Sequence, residues 1–325
     1  MHVAVADTVG GVELVDEGLH PVDDHPQFNE SALITLFDLE ARSGGFVRIG
    51  NRPNEGHAEA TFCWFLPDGS ALFSFERAAI TGNEAFRTDR IRVDVEEPAR
   101  RVKASFQGQA YHLSDPRLLT NPKTAFTTSP LIDVDLVVNL RGGGPLYGGR
   151  PFPGLDVGGH YEQPMCGEAR MRMGDGTANL TVRGNRDHSW GPRVWQGTHA
   201  DRTLWCTFDE TFSFATSLTW HTPAPDLYEV IGYVWRDGRI ARIVGASIRS
   251  EFEDSERLFH TRFDLALHLE DGTSIEVSGR RVAIAPLRHR RDGLTTHIGW
   301  AMAEFACDGR SGMGLSEYLD LTSSG

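Results

Sequence analysis

Lysine is almost missing from this chain. Of 32 basic residues only Lys103 and Lys123 are lysines, which leaves few candidates for a Schiff-base nucleophile. Cysteine is scarce as well. Cys63, Cys166, Cys206 and Cys307 lie far apart and none forms a Cys-x-x-Cys, which argues against a zinc ribbon, an iron–sulfur site and a disulfide scaffold. No apolar run approaches the ~18 residues needed to cross a bilayer, so no transmembrane segment is expected. Residues 1–20 lack a basic start, an apolar stretch and a small-residue cleavage site, and a cytoplasmic location is the expectation. Positive charge is in deficit: 45 acids give a net charge of −13, and an acidic chain repels phosphate backbones, so no nucleic-acid partner is expected. Gly-x-Ser-x-Gly, a Rossmann or P-loop fingerprint between strand and helix, and His-x-x-x-His are all absent. Neither a metal nor a cofactor is expected from spacing alone.

What remains is β-sheet. With 325 residues, 40% hydrophobic and 10% aromatic, the chain suits two globular domains. Short alternating runs such as Leu33–Asp38, Phe46–Ile49, Ala71–Phe75 and Leu136–Leu140 read as strands. Six Asp-Gly pairs, beginning at Asp68, Asp175, Asp237, Asp271, Asp292 and Asp308, suit the positive φ angles of tight hairpins. Long amphipathic helices are hard to find. In the second half eight strands follow one another: Thr203–Phe208, Phe212–Trp220, Tyr228–Trp235, Ile240–Ile248, Arg257–Leu269, Ser274–Ile284, Leu294–Phe305 and Met313–Leu319. That count suits an up-and-down barrel or a sandwich. The glycine- and proline-rich stretch Arg141–Gly154 reads as a linker. The expected division is 1–150 and 151–325, each an antiparallel β domain.

The densest polar cluster runs from Arg183 to Arg193. It holds three arginines, Asp187, His188 and Trp190, fenced by Gly184, Gly191 and Pro192. A carboxylate beside an imidazole or guanidinium can be tuned as a proton donor or base near neutral pH; an Arg–Asp pair that pins a loop is the structural alternative. Alternation along a regular strand puts Asp187 and Ser189 on one face. Arg186, His188 and Trp190 fall on the other. Only a bulge would bring Asp187 and His188 to one side.

Asp187-His188-Ser189-Trp190-Gly191 resembles the Asp-x-Glu-Trp-Gly signature of the carotenoid hydratase (hydroxyneurosporene synthase) and AttH-like family. Three further segments are similar to that family: Phe37-Asp38 followed by Phe46–Gly50, His160-Tyr161-Glu162-Gln163, and Gly312–Tyr318 with its Gly-x-Gly-x-x-Glu pattern. Ser189 stands where the signature has glutamate, which marks an Arg-Asp-His-Ser-Trp-Gly subfamily. The resemblance implies two tandem lipocalin-like β-barrels around an apolar ligand cavity. It also implies chemistry on isoprenoids, with water added to a double bond or a cyclisation driven by proton transfer.

The combined expectation is an all-β, tandem lipocalin-like protein that performs cofactor-free acid–base chemistry on a lipophilic small molecule of isoprenoid, steroid-like or polyketide type. Hydration, isomerisation and cyclisation share one first event, protonation of an alkene or enol. Asp187 is the candidate acid or its orienting partner, with His188 the alternative donor. Trp190 is the candidate cavity wall, Tyr161 and Glu162 project toward the ligand, and Arg186 and Arg193 hold the loop and set the carboxylate's pKa. The rival class is a non-catalytic carrier of the same kind of ligand.

Overall fold

The computed structural model describes residues 7–149, 158–253 and 255–323. Twelve strands come first: β1 (Thr8–Val9), β2 (Phe28–Asp38), β3 (Ser43–Arg52), β4 (His57–Phe65), β5 (Ala71–Ala79), β6 (Phe86–Arg87), β7 (Ile91–Glu97), β8 (Arg101–Leu113), β9 (Leu131–Gly142), β10 (Leu146–Gly149), β11 (Gly159–Met173) and β12 (Gly176–Pro192). Eight more follow: β13 (Ala200–Asp209), β14 (Phe212–Trp220), β15 (Glu229–Arg236), β16 (Arg239–Phe252), β17 (His260–Leu269), β18 (Ser274–Arg291), β19 (Leu294–Cys307) and β20 (Arg310–Ser323). The α-helix among the described residues is Pro122–Thr128. The expected all-β class is therefore the observed one.

The chain forms two compact units. One comprises Met1–Ser114 and Ser129–Arg193, the other Asp115–Thr128 and Val194–Gly325. In the first, hydrogen-bonded pairing runs β11-β12-β2-β3-β4-β5-β8-β9 and returns from β9 to β11, so eight antiparallel strands close a circuit. Alternation decides what faces inward. Ala32, Ile34 and Leu36 of β2, Val47 and Ile49 of β3, Ala60, Phe62 and Trp64 of β4, and Leu180 and Val182 of β12 share one buried core. Phe62 stacks on Phe106 of β8 at 4.1 Å between ring centroids.

The second unit is a closed barrel of β13 to β20 in sequence order. Each of the eight expected strands has its counterpart there. Asp237-Gly238, Asp292-Gly293 and Asp308-Gly309 all have positive φ and join β15 to β16, β18 to β19 and β19 to β20, the geometry that a two-residue hairpin requires. Leu204, Phe214, Leu265, Val277 and Phe305 lie in its core.

The units divide at Arg193, not near 150. The expected linker Arg141–Gly154 is structural over its described part: Gly142 ends β9 and Leu146–Gly149 is β10, paired with β11. Residues 150–154 lie outside the described residues. The glycines here serve close approach. A Cβ on Gly148 would stand 2.0 Å from the His160 carbonyl oxygen, and one on Gly142 would stand 2.3 Å from that of Ala99. Glycine lets these backbones pack where any side chain would collide. β11 and β12, which the sequence reading placed in the second domain, complete the first circuit instead.

Candidate active site

β11 and β12 pair from Gly159↔Trp190 to Met173↔Gly176 without a register shift, and β12 pairs β2 equally regularly. No bulge intervenes, so Asp187 and His188 face opposite sides of the sheet. Each expected site residue falls on one face or the other.

The face continuous with the core carries Tyr161, Gln163, Arg186, His188 and Trp190. Here the first circuit is filled by polar groups instead of aliphatic ones. Arg186 donates from Nη1 to Glu17 Oε2 at 2.7 Å and from Nε to Gln163 Oε1 at 2.9 Å, and its Nη2 meets Glu17 Oε1. Tyr161 donates its hydroxyl proton to Glu17 Oε2 at 2.7 Å, and the Ala99 amide donates to Glu17 Oε1 at 2.8 Å. Burial alone would raise the Glu17 carboxyl; the bond and charge of Arg186 outweigh it and hold the carboxyl below its ordinary value. His188 lies between Tyr161 OH at 3.2 Å and Glu30 Oε1 at 2.8 Å. Burial pulls its imidazole below the ordinary value despite Glu30. Glu30 also receives the His20 ring at 2.7 Å and the His20 amide at 2.9 Å. Burial opposes its ionisation, but the bonds from His188 and His20 bring the carboxyl down to about 2. Trp190 is buried and stacks on His20, ring centroids 4.0 Å apart. Glu17, Glu30, Arg186 and His188 are 0–5% exposed and His20 15%.

The other face carries His160, Glu162, Asn185, Asp187 and Ser189. Glu162 is directly opposite Asp187, and His160 is diagonal to it. The His160 Nε2 nitrogen is hydrogen-bonded to Asp187 Oδ2, with Glu162 Oε1 3.9 Å away. Asn185 Nδ2 donates to Glu162 Oε2 at 3.1 Å. Arg193 Nη2 donates to Ser189 Oγ at 3.0 Å, and that hydroxyl contacts Ser31 Oγ at 3.1 Å. His160 is 12% exposed, Glu162 18% and Asp187 26%, so this cluster reaches the edge of the solvent. Burial would lower the His160 imidazole, but the Asp187 charge and hydrogen bond set it above its ordinary value. Burial would raise the Asp187 carboxyl, but His160, and then Arg193, hold it below. The contact thus favours the imidazolium–carboxylate form of the pair.

The expected residues are thus divided. Arg193 acts electrostatically on Asp187. Arg186 does not: its partner is Glu17, because position 186 points inward. Trp190 and Tyr161 likewise belong with His188, not with Asp187. Four partners escaped the sequence reading: His160, Glu17, His20 and Glu30. His160 stands two residues before Glu162, and that spacing puts both on one face of a strand. Glu30 meets His188 across 158 positions of sequence, which no local pattern reveals. Folding also brings together two sets of groups able to hold a metal ion among the described residues. These are His20, Glu30 and His188, and His160, Glu162 and Asp187, with the donor atoms of each set within 4.8 Å of one another. Their ligands come from separate segments, which is why spacing did not show them.

The model of a domain of unknown function, DUF7064, matches residues 13–322. The chain belongs to the DUF7064 family. No curated protein matches the sequence. Among solved structures, a candidate AttH from Nitrosomonas europaea is similar with a TM-score of 0.63 at 12% identity, over 97% of this chain and 99% of that one. CghA, crystallised with Sch210972, is similar with a TM-score of 0.57 at 12% identity, over 92% of this chain and 90% of that one. At this identity the likeness establishes the fold, and this DUF7064 chain is all-β and lipocalin-like. No helix among the described residues is long and apolar enough to cross a membrane.

Proposed function

We propose that this DUF7064 protein is an acid–base enzyme that protonates a lipophilic small molecule, of isoprenoid, steroid-like or polyketide type, in a hydration, isomerisation or cyclisation. The observation that carries the reading is the His160–Asp187 pair at the edge of the solvent. Asp187 is the orienting partner and His160 is the donor. The carboxylate accepts from Nε2, orients the ring and stabilises its cationic form, as a triad aspartate stabilises the imidazolium that forms during turnover. The proton on Nδ1 is the transferable one. It passes to the carbon of an alkene or enol, the ring becomes neutral, and solvent restores the proton after turnover. Glu162 and Asp187 place negative charge near the cation formed on the substrate, which favours that transition state. Arg193 adds to His160 in holding the Asp187 carboxyl below its ordinary value. His188, Tyr161, Arg186 and Trp190 act from the opposite face as the support of β11 and β12. The resemblance to the carotenoid hydratase and AttH-like family supports a lipophilic substrate, and the occurrence of Sch210972 with CghA, a protein of this fold, supports a small-molecule ligand.

The test begins with the ligand that co-purifies with the chain, identified by mass spectrometry after organic extraction. Incubated with excess protein in D2O, it acquires one carbon-bound deuterium if the reading holds. Asp187→Asn and His160→Gln then slow that exchange by about 10²–10⁴, the usual contribution of a positioned general acid or base, while ligand affinity stays within a few-fold. Tight binding with no deuterium incorporated by the wild-type protein identifies a carrier and removes the catalytic reading.

A further inference from the structure

The buried set on the inner face carries a second inference, independent of the acid–base reading. Glu30 of β2, His188 of β12 and His20, which precedes β2, turn three donor atoms toward one point. His20 Nδ1 is 2.7 Å and His188 Nε2 is 2.8 Å from the same oxygen, Glu30 Oε1. The far nitrogens also face oxygens. His20 Nε2 is 3.4 Å from Asp16 Oδ1, and His188 Nδ1 is 3.2 Å from Tyr161 OH. A neutral imidazole has one ring proton and one lone pair. Each ring here has an oxygen at both nitrogens. Asp16 is a carboxylate and offers no proton, and the single proton of Tyr161 is directed to Glu17 Oε2 at 2.7 Å. With one proton apiece, the two rings are each one hydrogen bond short.

From this geometry we infer that His20 Nδ1, His188 Nε2 and Glu30 Oε1 form a binding site for one divalent first-row transition ion. The ion takes the place of the proton that each ring lacks on its Glu30 side. The remaining ring protons then donate to Asp16 and Tyr161, the outer-shell arrangement typical of metal-ligating histidines. Asn83 Nδ2, which donates to Glu30 Oε2, fixes the carboxylate from behind. Trp190, stacked on His20, fixes the ring plane. Two imidazoles and one carboxylate are the donor set of the facial triads that hold iron(II) with open positions. The two separations from Glu30 Oε1 approach six-coordinate geometry, and the three donor atoms lie within 4.8 Å of one another. Metal–ligand bonds of about 2.1 Å at right angles put neighbouring donors about 3.0 Å apart, a small outward shift from 2.7 and 2.8 Å. The ion ties the segment before β2 to β2 and β12.

The experiment uses the full chain, stripped with a chelator and titrated anaerobically with Fe2+ and, for its visible spectrum, with Co2+. Calorimetry and absorbance should both report one equivalent per chain. His20→Ala changes the most exposed of the three ligands and should weaken binding by about 10–100-fold or more, with circular dichroism confirming the fold; Glu30→Gln should do the same. Two results overturn the proposal. One is the absence of saturable binding to the wild-type chain. The other is one equivalent bound with undiminished affinity by folded His20→Ala. That result, with loss instead in Asp187→Asn, assigns the ion to the His160 cluster.

Discussion

Glu17→Gln isolates the interior ion pair of the first unit. The substitution keeps the shape of the side chain and removes its charge. Arg186 is then left 5% exposed in a site where Glu17 was 2% exposed. Its Nε bond to Gln163 survives, but both Nη bonds lose their charged acceptor, as does Tyr161 OH. Breaking a buried pair by removing one partner costs about 3–5 kcal/mol, a large share of the roughly 5–15 kcal/mol that stabilises a typical protein. At about 2–4 °C per kcal/mol for a unit of this size, the melting temperature should fall by roughly 6–20 °C. Differential scanning calorimetry with urea unfolding measures both quantities. The double variant Glu17→Gln/Arg186→Met removes both charges and should recover most of the loss, because well-packed neutral replacements of a buried pair are often neutral or stabilising. A single-variant loss below about 1 kcal/mol, the value for exposed pairs, would refute the argument. So would a double variant no more stable than the single.

Two further outcomes follow from packing and burial. Gly148→Ala places a Cβ 2.0 Å from the His160 carbonyl oxygen and 2.6 Å from Tyr161 Cα. It should cost about 1–3 kcal/mol by forcing β10 from β11, and hydrogen exchange should show faster exchange at the amides of that pair. In the second unit His260 is buried with its Nε2 2.7 Å from Ser316 Oγ. Burial, reinforced by Arg281 and Arg202, lowers its imidazole from 6.5 to about 3. The unfolded chain binds that proton first, so stability is full above pH 6.5 and falls by up to about 1.4 kcal/mol per pH unit toward pH 3. Acid unfolding of His260→Phe should lack this component. Parallel acid limbs for the two proteins would contradict it.

The second barrel was legible because its information is local. Alternation marks each strand, and Asp-Gly pairs at 237, 292 and 308 mark the turns with the positive φ that they adopt. Alternation also separated Asp187 from His188, and the unshifted register of β11 on β12 keeps them apart. The unit boundary was not legible. Glycine is common both where a chain must bend freely and where two backbones approach closely, and Gly142 and Gly148 do the second. The partners of the site residues were hidden for another reason. Glu17 and Arg186 meet across 169 positions and Glu30 and His188 across 158. Such pairings depend on how the circuit closes, and a local pattern holds no record of it.

The most direct test of the account is the charge state of His160. Nitrogen-15 and proton NMR titrate the 13 histidines, with His160→Gln assigning the relevant signal. In the wild-type protein His160 should titrate above 6.5 and the Asp187 carboxyl below 3.8, the directions that their contact imposes. By linkage the pair's stabilisation is full between pH 3.8 and pH 6.5. It is lost as pH rises through the elevated His160 value and as pH falls through the depressed Asp187 value. Asp187→Asn removes the opposing charge and leaves burial as the main influence, so His160 should then titrate lower than in the wild type. A wild-type His160 that titrates at or below 6.5, or one that Asp187→Asn leaves unmoved, would contradict its assignment as the proton donor.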